Sequence, residues 1–229
     1  MQKKNSFQKK LTNYIEQVLI AFDIEVEPET KERLVTYFLQ LYLWNRSKNL
    51  TGIKDLDILI YKHLGDSLIL LKHLDNHLET MLDIGTGQGV PGLIVKILRP
   101  NLKVVLAEAS KKKCSFLKFV IALLRLKDIK VCEKRIDPKN PPCLFENSGF
   151  DVIVSQATGA LSWLVDISHP FLKDGGKIIS LKGPKGLYEV EELKKIFKKR
   201  GQMLIIDVIE EHLPILDQKR LLIFIQFRN

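Results

Sequence analysis

The chain has 229 residues, with 45% hydrophobic and 28% charged side chains, values that build a folded core and exclude a disordered or repetitive polymer. Lys and Arg number 36 against 27 Asp and Glu, and the resulting charge of +9 favours a polyanionic partner such as RNA. Cys114, Cys132 and Cys143 are an odd set without metal-ligand spacing, and no apolar run approaches the ~18 residues of a membrane helix. With no export signal in MQKKNSFQKK, the expectation is a cytoplasmic protein with reduced thiols, no membrane contact and no metal, monomeric in solution.

Phe7, Leu11, Tyr14, Ile15, Val18, Leu19 and Phe22 recur at helical spacing, as do Leu34, Tyr37, Phe38, Leu41 and Tyr42 after Pro28. A third helix is predicted over 57–74. Residues 1–78 thus read as a helical region packed on a core domain of 79–229. There, short apolar strands at 81–84, 104–107, 129–132, 151–155 and 177–181 alternate with helices at 92–98, 111–124, 161–172 and 190–199. Asp174-Gly175-Gly176 reads as a turn before the fifth strand. The last two apolar segments, 203–209 and 221–227, leave no room for a helix between them and must form an antiparallel hairpin. The expected class is α/β, a mostly parallel sheet with a C-terminal antiparallel hairpin, the shape of class I methyltransferases.

The richest local signal is Asp83-Ile84-Gly85-Thr86-Gly87-Gln88-Gly89-Val90-Pro91-Gly92, which joins the first strand to the next helix. Glycines let the backbone approach a nucleotide-like ligand, while the helix start offers free N–H groups and a positive dipole end, with Pro91 suited to its first turn. Gly87-x-Gly89-x-x-Gly92 also spells a dinucleotide fingerprint, so a nicotinamide-dependent oxidoreductase is the first rival. Asp83 opposes it, because a carboxylate there repels pyrophosphate and attracts an ammonium, such as the amine of S-adenosylmethionine.

Glu108 ends the second strand, where an acidic side chain accepts hydrogen bonds from ribose hydroxyls or, more plainly, caps the next helix. Lys111, Lys112 and Lys113 follow at once, a solvated face or a phosphate contact beside the cofactor. Arg135, Ile136 and Asp137 follow the third strand, where this class of fold receives adenine. Asn140-Pro141-Pro142-Cys143 imitates two methyltransferase boxes, but both belong after the fourth strand, where this chain has Ser155-Gln156-Ala157-Thr158 and no thiol nucleophile. His63 and Asp66 lie three apart on the third helix, able to face one way, although such pairs usually brace a helix.

Trp44-Asn45 with Asn49-Leu50-Thr51, Lys62-His63-x-x-Asp66-Ser67, the glycine run ending Val90-Pro91-Gly92, Lys112 with Phe116-Leu117, and Leu181-Lys182-Gly183-Pro184 resemble the glucose-inhibited division protein B family. Those proteins are small-subunit ribosomal RNA guanine-N7 methyltransferases, and the resemblance runs from about Tyr37 to Arg228. It implies S-adenosyl-L-methionine as cofactor, held by Asp83, Gly85, Gly87, Gly89, Glu108, Ile136, Asp137 and Gln156. It further implies RNA or donor contacts at Lys112, Arg135, Lys182 and Arg220, with His63, Asp66 and Lys112 as the candidates nearest the chemistry. The partner would be small-subunit ribosomal RNA or the 30S particle. Gln156 departs from the family, which usually has arginine there, and so removes a charge beside the methyl-transfer region.

Guanine N7 attacks a methyl group with a free lone pair, so the reaction needs orientation more than a general base, and a missing triad is no objection to an enzyme. The competing readings are a non-catalytic RNA-binding or assembly protein, motivated by Gln156, and the nicotinamide oxidoreductase.

Overall fold

The computed structural model describes residues 2–139, 141–143, 149–156 and 159–228, the side chains of 2–5 excepted. Asn140, Ala157 and Thr158, weighed above, lie outside the described residues. Three helices come first: α1 (Gln2–Ala21), α2 (Pro28–Lys48) and α3 (Leu56–Lys72). Leu11, Ile15, Val18 and Leu19 of α1 are buried at the predicted spacing, and Pro28 opens α2, where its missing N–H costs nothing. Their apolar stripes join Leu93, Val104, Leu117 and Val152 in one continuous core cluster, so the helices share the hydrophobic interior of the sheet.

The sheet contains β1 (Thr80–Ile84), β2 (Lys103–Ala107), β3 (Ile129–Cys132), β4 (Phe150–Gln156), β5 (Leu172–Lys182), β6 (Leu204–Leu213) and β7 (Gln218–Phe227). Its order is β3-β2-β1-β4-β5-β7-β6. The first five strands pair in parallel, and β7 pairs antiparallel with both β5 and β6. Helices α4 (Gly92–Leu98) and α5 (Lys111–Leu123) connect the β1-β2-β3 wing. On the other wing, α6 (Leu161–Ser168) and α7 (Gly186–Lys199) pack in a second cluster with Ile84, Ile153 and Ile178. Chain direction across the sheet reverses between β1 and β4, which opens a crevice at their C-terminal ends.

Three local expectations are corrected. The helix predicted over 161–172 stops at Ser168 and passes through a 3-10 turn, His169–Phe171, because Pro170 has no N–H to continue the ladder. Asp174-Gly175-Gly176 does turn, but inside β5: residues 173–176 bulge opposite the single Asp151, with Gly175 at φ +71. Helix α7 starts at Gly186, earlier than predicted, led in by turn bonds from the Gly186 and Tyr188 N–H groups to the Gly183 and Lys185 carbonyls, and a Cβ at Gly186 would lie 2.7 Å from the Lys182 Cβ.

Lys96 shows how a charge enters the core. Its stem lies in α4, and its ammonium donates to the Pro100 and Leu102 carbonyls at 2.7 and 2.6 Å, closing the α4-β2 connection. Lys96→Met keeps the apolar stem but strands both carbonyls, so chemical denaturation is expected to show a loss of roughly 1–3 kcal/mol. Unchanged stability would mean that water serves those carbonyls equally well.

Candidate active site

The glycine run crosses the C-terminal ends of β1 and β2, held from below by two carboxylates. Asp83 Oδ2 accepts the Gly92 N–H at 2.8 Å, and Glu108 Oε2 accepts the Gly87 N–H at 3.0 Å. Gly92 must be glycine, since a Cβ would lie 2.7 Å from Asp83 Oδ2 and 2.7 Å from Leu106 Cδ2. Gly85, Gly87 and Gly89 take φ of +72, +62 and +101, the left-handed region where side chains are strained. Two elements of the helical region hold the turn from above. The Tyr37 hydroxyl donates to the Gln88 carbonyl at 3.1 Å, and the Gln88 amide donates to His63 Nε2 at 3.0 Å.

Around this turn lies a cavity of about 750 Å³. Gly85 to Gln88 form its floor, Glu108 and Ile136 line its β2-β3 side, and Gln156, Gly159 and Trp163 line its β4 side. Among the described residues, Lys62, Lys113, Lys134 and Arg135 bring four basic side chains to the wall against the one acid Glu108. The cavity therefore favours an anionic visitor at its mouth.

The sequence-derived candidates divide. Gly85, Gly87, Glu108, Arg135, Ile136, Gln156 and His63 line the cavity. Asp83 does not: it is fully buried beneath the turn. At the helix start, Asp83 takes the Gly92 N–H and the Gly89 carbonyl takes that of Leu93. Pro91 is the N-cap of α4, one residue before its first turn. Gly89 supports the turn without lining the cavity, and a Cβ there would lie 2.7 Å from Leu93 Cβ. Asp137 turns outward and accepts the Lys139 N–H at 2.9 Å. Glu108 accepts the Ser110 N–H at 2.7 Å just ahead of α5, and each carboxylate oxygen retains a second lone pair for a ligand hydroxyl.

Several basic candidates hold protein groups. Lys112 donates to the Lys48 and Asn49 carbonyls at 3.1 and 2.8 Å, capping the C-terminus of α2. Lys182, buried, binds the Gly159 carbonyl at 2.8 Å and pairs with Glu189 at 2.9 Å. Arg220 places Nε 2.7 Å from Asp66 Oδ1, while the Gln156 amide donates to Asp66 Oδ2. Burial pushes the Asp66 carboxyl above its ordinary range against the pull of Arg220. Spacing alone did not single out Lys62, Lys134 or Trp163. They come from three separate elements, and only the tertiary fold gathers them.

Cys143 is not poised as a nucleophile. Its Sγ lies 3.1 Å from that of Cys132, whose thiol burial pushes up to about 11. Among the described residues, no three His, Cys, Asp or Glu gather to hold a metal ion, and no helix is long and apolar enough to cross a membrane.

A five-strand parallel run closed by an antiparallel β7, with a glycine cavity at the β1-β4 switch, defines a Rossmann-like methyltransferase. Residues 30–216 match the GidB family, described as rRNA small subunit methyltransferase G, and the chain belongs to that family. It is 37% identical to ribosomal RNA small subunit methyltransferase G of Acinetobacter baumannii over 89% of this chain and 91% of that one. The protein of that name in Mycoplasma capricolum subsp. capricolum is 34% identical over 79% of this chain and 76% of its own. Ribosomal protein L11 methylase from Lactobacillus delbrueckii subsp. bulgaricus shares the fold, with TM-score 0.53 and 16% identity over 78% of this chain and 81% of that one. The nicotinamide reading of Gly87-x-Gly89-x-x-Gly92 falls with this assignment.

Asp83 and His63 titrate in opposite senses. Burial raises Asp83 from 3.8 to about 7, the Thr86 hydroxyl and Gly92 amide pulling the other way and Glu108 adding to the rise. Burial, with Lys62 adding to it, lowers His63 from 6.5 to about 3. From about pH 4 to 7 the folded chain holds an extra proton on Asp83, so stability falls as pH rises. From about pH 3 to 6.5 the unfolded chain holds the extra proton on His63, so stability rises with pH. The two slopes, each ~1.4 kcal/mol per pH unit, cancel in their common window. Relative to wild type, Asp83→Asn is expected to gain about 2–3 kcal/mol between about pH 4.5 and about pH 6.5, and His63→Gln to lose as much. Urea midpoints measure it, and parallel profiles for all three proteins would refute the assignment.

Proposed function

We propose that the protein transfers a methyl group from S-adenosyl-L-methionine to N7 of a guanine in small-subunit ribosomal RNA, as a cytoplasmic monomer acting on the RNA or the 30S particle. The carrying observation is the cavity itself: a bare glycine floor, an acid facing it from β2, and a rim of four basic side chains, in a chain of this family.

The residues present fit the donor. Gly85 and Gly87 leave backbone uncovered, Glu108 has lone pairs for ribose hydroxyls, and Ile136 gives adenine an apolar wall. Asp83 lies under the turn, bonded to the Gly92 N–H at 2.8 Å, where a cationic amine nearby would favour its charged form. When bound, the donor supplies an electrophilic methyl group on a sulfonium.

The chain's own contribution is position. His63 is neutral at physiological pH, so it adds no cation beside the site. Guanine N7 carries no proton, and no side chain has to remove one before attack. Orientation can supply roughly 7–11 kcal/mol of the barrier when the reacting atoms are held in line. Lys62, Lys113, Lys134 and Arg135 meet the phosphates flanking the target, which must be unpaired or extruded to enter. Gln156 lacks the charge of the family arginine, but Asp66 joins its amide to the Arg220 guanidinium, one carboxylate away.

Labelled-methyl transfer to small-subunit RNA that lacks the modification tests the proposal, with N7-methylguanine as the expected product. Donor binding without transfer to any RNA would leave a non-catalytic RNA-binding protein. Glu108→Ala is expected to weaken S-adenosylhomocysteine binding about tenfold or more, since it removes both a ligand acceptor and the Gly87 tether. Calorimetry reads that loss directly.

A further inference from the structure

The chain has two tryptophans, and their surroundings differ. Trp44 packs against the hydrophobic core, its ring centroid 5.6 Å from that of the buried Phe116 and 5.5 Å from that of the exposed Phe119. Trp163 is 37% exposed and lines the cavity. Its neighbours Leu161, Leu164 and Val165 bury the inward face of α6, so the core does not account for the indole. A large apolar ring left open at a polar cavity invites a flat ligand.

The ring is also held. Gly159, at φ +60, backs it so closely that a Cβ would lie 2.8 Å from Trp163 Cε3. The Gly159 carbonyl accepts from Lys182, Lys182 pairs with Glu189, and Glu189 Oε2 accepts the Leu161 N–H at 3.1 Å. This chain ties the segment ahead of α6 to α7 and β5. The buried Lys182 thus fixes a platform for the indole.

Its side of the cavity is informative. Glu108 and Ile136, which suit an adenosine, lie at the ends of β2 and β3, whereas Trp163 follows β4 across the central strand. Resting on the function proposed above, we propose that Trp163 is the stacking platform for the guanine that receives the methyl group. Every base has a π-face, and aromatic stacking holds unpaired bases without a sequence code. As N7 gains its methyl group the guanine ring becomes cationic, and an indole face attracts a cation more strongly than a neutral ring. Trp163 therefore favours the charged state over the ground state, which accelerates transfer as well as binding the base.

Trp163→Ala is expected to leave S-adenosylhomocysteine affinity within about twofold while lowering kcat/KM for RNA roughly tenfold or more, with Trp163→Phe recovering most of it. In a Trp44→Phe protein saturated with S-adenosylhomocysteine, RNA should quench the emission of Trp163. Wild-type transfer rates in Trp163→Ala would overturn the inference. So would a loss of S-adenosylhomocysteine affinity that matches the loss of rate, because the ring would then serve the donor's adenine. If the wild-type protein transfers no methyl group at all, the function fails and quenching alone decides the platform: RNA-dependent quenching keeps it, and none removes it.

Discussion

The structure depends on one constraint: the glycine turn over β1 and β2 must be held still without side chains of its own. Two carboxylates meet it. Asp83 takes the Gly92 N–H and Glu108 takes the Gly87 N–H, so both ends of the turn are tied to strands of the sheet. Burying Asp83 is costly, as its raised pKa shows.

The helical region completes the clamp. Asn45 donates to the Ile53 carbonyl at 2.7 Å and accepts the Thr51 N–H at 2.8 Å, while Asn49 ends α2 at φ 51 and Lys112 caps its carbonyls. These bonds explain the motif around Trp44 to Thr51 as a device that joins α2 to α3 at a fixed angle. Tyr37 on α2 and His63 on α3 then reach Gln88. Loss of register in either helix would loosen the cavity floor.

Charge serves two purposes that sequence cannot separate. Lys112, Lys182 and Arg220 are spent on helix termini and buried acids. Lys62, Lys113, Lys134 and Arg135 stay at the rim. A buried ion pair stabilises little on balance, but it fixes geometry. Here the Lys182-Glu189 and Asp66-Arg220 pairs set the segments that follow β4 and line its end.

The order of elements, the C-terminal hairpin and the methyltransferase fold class were legible in the sequence, because alternating burial, helical period and glycine placement are local properties. A boundary failed where a distant residue decided: residues 173–176 bulge because Asp151 alone opposes them. That Gly85, Gly87 and Glu108 would meet at the strand ends was legible in the sequence, and all three line the cavity. That Asp83 lies beneath the turn, that Lys112 and Lys182 bind backbone carbonyls, and that Trp163 stands open at the cavity were settled by tertiary structure. A residue's type states what chemistry it can do. Which neighbours satisfy it first depends on contacts between elements far apart in the chain.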